Sequence, residues 1–164
     1  MKKVFKVICI CLIICVFAGC ATTPPAEPKF YINQAIWNNT TKDKAYSACL
    51  SAMTIERFAV HPLGTKKDTG LIVSNQREFY YKDDKDFTCY YTLQILVAEA
   101  QGGKVMINVN AVDTGYKYKG YGLHEDTVKR FMSDKIADHI EKFFGQLEIL
   151  LGKAEYYKKD KTLF

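Results

Sequence analysis

The chain has 164 residues, with 23 basic and 18 acidic side chains and a formal net charge of +5. Three of the basic residues, Lys2, Lys3 and Lys6, stand at the very start; without them 20 face 18, a balance too even for an electrostatic nucleic-acid binder. An aromatic content of 13% excludes a chain disordered throughout, and the length suits one domain with one core.

In chain order, the basic start is followed by an uncharged, almost wholly apolar run from Val7 to Gly19. A membrane-spanning helix needs about 20 such residues. This run is shorter and ends in small residues, which is the pattern of a signal-peptide core. Cys20 follows Phe17, Ala18 and Gly19, and the chain then turns abruptly to Ala21-Thr22-Thr23-Pro24-Pro25-Ala26-Glu27-Pro28. The stretch resembles the bacterial lipoprotein signal, or lipobox, with Phe17 where the family usually has Leu, Val or Ile. The resemblance implies a diacylglycerated Cys20 thiol and cleavage before it, so that residues 1–19 are a signal peptide. Two or more acyl chains hold a protein firmly on a bilayer, at about 0.8 kcal/mol per buried CH₂. Ala21 stands where Gram-negative lipoproteins retained in the inner membrane often carry Asp, which implies the outer membrane. The alternative is an incidental cysteine beside Cys9, Cys11 and Cys15. Residues 20–29 read as a Pro-rich tether, extended at about 3 Å per residue.

Residues 30–152 read as the globular domain. Phe30 to Trp37 is a first strand or an extended docking segment. Thr40 or Thr41 caps a helix over Lys42 to Arg57, with Tyr46, Cys49, Leu50 and Met53 at helical spacing and Ala45, Ala48 and Ala52 widening the apolar face. Gly70 to Tyr81 is strand-like in composition, and Lys82 to Asp86 is a charged turn. In the next segment Phe87, Cys89, Tyr91, Leu93, Ile95 and Val97 fall on one face by period two. Gln101, Gly102 and Gly103 connect to a returning strand with Val105, Ile107, Val109 and Ala111 inward. A long helix follows from His124 to Leu151, with Glu125 and Asp126 at its start and Gly152 as its stop. Residues 153–164 read as a mobile polar tail.

Short strand connections predict an α+β fold: a two-layer sandwich of an antiparallel sheet of about four strands, with both helices on one face. An early amphipathic helix, an aromatic residue, a loop and Gly70-Leu71-Ile72-Val73 before a meander make the layout similar to small lipoprotein domains of the BamC type. The similarity runs from Thr41 to Leu151 and implies an envelope assembly or accessory factor.

Cys49 and Cys89 are the cysteines that remain with Cys20 after cleavage, and each lies on an apolar face. In an oxidising compartment they read as a disulfide or as two separate buried thiols. Tyr116, Lys117, Tyr118, Lys119 and Tyr121 read as a binding strip, with flat rings and cations, or as a guarded edge strand. His61, His124 and His139 show no metal-ligand spacing and read as surface or structural residues, with His139 on the solvated face. No cofactor or metal is expected. The expected function is a non-enzymatic, lipid-anchored envelope protein that binds a protein partner or envelope component. The alternatives are a cell-wall-directed enzyme with acids near Asp113, Glu125 or Asp126, and a small-ligand or polysaccharide binder.

Overall fold

The structure, a computed structural model, describes residues 30–81, 84–118 and 125–160. Its elements are β1 (Phe30–Trp37), α1 (Lys42–Ile55), β2 (Leu71–Val73), β3 (Arg77–Tyr81), β4 (Asp84–Ala100), β5 (Lys104–Tyr118), α2 (Glu125–Leu151) and β6 (Glu155–Asp160). The fold is α+β, and every strand pairing is antiparallel. The sheet has six strands rather than four, in the order β2-β4-β5-β1-β6, with β3 also on β4.

The two extra strands have distinct origins. The segment from Gly70 to Tyr81 divides into β2 and β3, both on the same edge of β4. The other lies in the expected polar tail, where Glu155–Asp160 pairs with β1. Its alternation explains why it joins the sheet: Tyr156 packs against the core, while Tyr157 stays half exposed. Phe30–Trp37 is a strand between β5 and β6, which settles the choice left open for it.

β4 follows its period-two pattern throughout the inner face. Phe87, Cys89, Tyr91, Leu93, Ile95 and Val97 are all fully buried. Both helices bury their apolar stripes against that face: Cys49, Ala52 and Met53 of α1 and Ile136, Ile140, Phe143 and Leu147 of α2 join Tyr91, Leu93, Ile95 and Val97 in one cluster. Burying an aliphatic or aromatic side chain of this size stabilises by about 1.5–3 kcal/mol. A smaller cluster at the far end holds Tyr81, Phe87, Cys89, Val128 and Met132.

Local chemistry sets the ends of the elements. Thr41 caps α1, its hydroxyl oxygen accepting from the Lys44 N–H at 3.3 Å. α2 ends at Gly152, whose carbonyl accepts from the Trp37 indole N–H at 2.9 Å and so ties the helix end to β1. Gly70 has φ +76°, and a Cβ there would sit 2.0 Å from the Val97 carbonyl oxygen, so only glycine lets this turn close on β4.

A bulge interrupts the pairing of β4 with β5. Tyr90 pairs with Gly115 and Thr92 with Val112, so Asp113 and Thr114 together stand opposite Tyr91. Asp113 takes a left-handed φ of 50°. The extra residue inverts the side-chain phase of β5. Upstream the odd residues Val105, Ile107 and Val109 face the core, whereas downstream the even residues do.

Candidate functional site

The bulge decides what becomes of the tyrosine-lysine strip. Tyr116 and Tyr118 turn to the helix side and pack on the Phe87 ring, with centroids 5.4 and 5.0 Å away. Lys117 turns to the opposite side, 5.5 Å above the Tyr90 ring and 3.9 Å from the Glu78 carboxylate. The three described members therefore do not share one surface. Lys119 and Tyr121 lie outside the described residues, as do Cys20, His124 and the tether.

The side of the sheet away from the helices is the broader surface. Among the described residues no helix covers it. Leu71, Leu96, Asn108, Gln34 and Tyr157 form one row straight across five strands. Beside it run Val73, Gln94 and Asn110, then Glu78, Tyr90 and Gly115, then Tyr80, Thr88 and Lys117. Tyr80 and Tyr157 are about half exposed, at 53% and 50%. Asn110 donates its side-chain amide to the Asn108 side-chain oxygen at 2.9 Å. Gly115 makes room for Tyr90, since a Cβ at that position would meet the Tyr90 hydroxyl at 2.4 Å. The face thus offers rings, amides and, among the described residues, two cation–carboxylate pairs, Lys117 with Glu78 and Lys104 with Glu155.

On the helix side, three polar groups meet among aromatic rings. Arg77 of β3 lies directly across from Tyr91 of β4. Its guanidinium stacks 4.4 Å over Phe58 and donates to the Glu56 carbonyl at 3.1 Å, with its charge near the Tyr91 hydroxyl. The Tyr91 hydroxyl lies 2.6 Å from Nδ1 of His139 on α2. Phe58 and Phe79 set their rings edge-on to both Tyr91 and His139. Burial raises the Tyr91 hydroxyl above the ordinary tyrosine range, against the nearby Arg77 charge. Burial, joined by the Arg77 and Lys142 charges, pushes His139 down to about 4.

His139 is half-buried rather than on the solvated face. The sequence held the signal: Met132, Ile136, His139 and Phe143 follow the three-and-four spacing of the apolar stripe of α2. Arg77 carried no such sign, because its role depends on a partner 14 positions away in sequence.

Cys49 and Cys89 are free thiols, both fully buried. They are not joined because they belong to different clusters, Cys49 to the main core and Cys89 to the far-end one. Burial raises both thiols above the ordinary range, Cys89 to about 11, so neither is poised as a thiolate nucleophile. The acids considered for catalysis do not converge either. Asp113 sits in the bulge, while Glu125 binds Lys129 at 2.8 Å, and that hydrogen bond and charge hold its carboxyl below the usual range. Among the described residues no three His, Cys, Asp or Glu side chains gather as a metal site. No helix of the described residues is long and apolar enough to cross a membrane.

No family model and no curated protein matches the sequence. Among solved structures, the chain is similar to the adenylate sensor from AMP-activated protein kinase in complex with 5-aminoimidazole-4-carboxamide 1-beta-D-ribofuranotide. The identity is 17% and the TM-score 0.43, over 71% of this chain and 98% of that one. A likeness at this level carries no argument about fold, ligand or activity.

Proposed function

We propose that this protein is a lipid-anchored envelope protein without enzymatic activity, which binds a protein partner or another envelope component through the bare face of its sheet. The observation that carries the binding role is the face itself. Among the described residues helices cover the six strands on one side only, and the other side presents Tyr80, Tyr90, Leu96 and Tyr157 among amides. Surfaces that combine aromatic side chains with polar neighbours are favoured in recognition, since rings add contact area at small entropic cost. The address rests on the lipobox-like Phe17–Cys20 and on Ala21, which favours the outer membrane.

The reading is tested by crosslinking in intact cells, followed by affinity recovery and mass spectrometry. Three chains are compared: the native protein, Cys20→Ala, and a Tyr80→Ala/Tyr157→Ala double variant. The native chain should recover a reproducible envelope partner. The double variant should lose it with an unchanged melting temperature, and Cys20→Ala should lose membrane attachment. Equal recovery from the double variant would remove the sheet face from the proposal, and lipid labelling that survives Cys20→Ala would remove the anchor.

A further inference from the structure

We infer that Arg77, Tyr91 and His139 form a proton-sensitive latch, which seats the middle of α2 on the sheet at neutral pH and loosens it when His139 is protonated. The placement of a fixed cation and of one short contact carries the inference. Arg77 lies directly across from Tyr91, and the Tyr91 hydroxyl lies 2.6 Å from His139 Nδ1. A permanent cation on that side favours the Tyr91 lone pairs facing it, with the O–H turned to donate to Nδ1. The latch as inferred has the single imidazole proton on Nε2 and a neutral ring.

Protonation of His139 reverses that order. Nδ1 becomes a donor facing the Tyr91 hydroxyl, whose hydrogen loses its acceptor inside a ring cluster that includes Phe58 and Phe79. A second cation also appears beside Arg77. The other charges near the ring come from α2 itself: Lys135 and Lys142 oppose protonation, and Asp138 favours it. From the end of α1, Glu56 offers its carbonyl to Arg77, while its carboxylate accepts from Gln146 at 3.2 Å. The latch thus spans α1, β3, β4 and α2 and would act whatever the protein binds.

The pH window follows from linkage. A histidine titrating near 6.5 when unfolded and at about 4 in place binds fewer protons in the folded state between those values. Stability is full above pH 6.5, is lost as the pH falls towards 4, and changes no further below that. The gap sets an upper bound of roughly 300-fold on the folding equilibrium, and solvent screening of a half-buried ring lowers it to about tenfold or somewhat more.

Hydrogen exchange followed by mass spectrometry on the full-length protein in detergent, at pH 7.5 and pH 5 and corrected for intrinsic rates, tests the latch. Protection across residues 132–147 should fall about tenfold or more relative to residues 105–109, and His139→Gln should abolish the fall. A fall of the same size in His139→Gln would overturn the latch. Imidazole NMR on the native protein keeps the test decisive if that variant does not fold. Titration of His139 below pH 6 sustains the proposal, and titration at pH 6 or above ends it.

Discussion

From Val105 to Asn108, β5 lies between β4 and β1, and its inward side chains are sealed aliphatics. Beyond Asp113 it is paired only with β4 among the described residues, and its inward side chains are tyrosines resting on Phe87 at the rim of the smaller cluster. One strand therefore changes from a buried interior segment to a partly wet edge. The difference teaches that a bulge can reassign side chains as effectively as a turn: Asp113 and Thr114, opposite one residue, send Lys117 to the bare face and its tyrosine neighbours to the helix side.

The comparison can be sharpened by truncation. Ile107→Ala should cost about 2–5 kcal/mol in denaturant unfolding, because it opens a cavity in a sealed core. Tyr118→Ala, on the half-buried rim, should cost about 1–2 kcal/mol. Equal losses would mean that the two halves of β5 are one continuous core. A smaller effect addresses the bulge. Asp113→Val places a β-branched residue at φ 50° and should cost about 1–2 kcal/mol, read as a lower melting temperature. No change would mean that the left-handed residue is not needed there. The smallest effect concerns the bare face. Lys117→Ala removes an exposed pair with Glu78 and should stay within about 0.5 kcal/mol of the native protein. A larger loss would show that Lys117 supports the sheet rather than merely lying on it.

Much of this fold was legible in advance. The inner face of β4 could be read residue by residue, because period-two alternation is local and no bulge falls on the β4 side between Phe87 and Val97. The apolar stripe of α1, its Thr41 cap and the Gly152 stop were legible for the same reason. The candidate sites were less so. The tyrosine-lysine strip reads as one surface only if alternation is not shifted by an extra residue. Cys49 and Cys89 each lie on an apolar face, but apolar faces do not reveal which cluster a side chain joins. The flanking Asp138 points His139 to the solvated face, although the helical stripe passes through the histidine and half-buries it.

The amino-acid sequence by itself determined the α+β class, the extent of the two helices and the inward face of the longest strand. Those follow from spacings of two, three and four residues that need no knowledge of the partner. Only the tertiary structure decided the sixth strand, the phase of β5 after Asp113, the separation of the two thiols and the meeting of Arg77, Tyr91 and His139. Each of these depends on which distant segment lies alongside. β6 becomes a strand because β1 offers it an unpaired edge. Two residues of β5 become a bulge because one residue of β4 stands opposite them. Pairing across long stretches of chain is set by the packing of the whole, which no local period encodes.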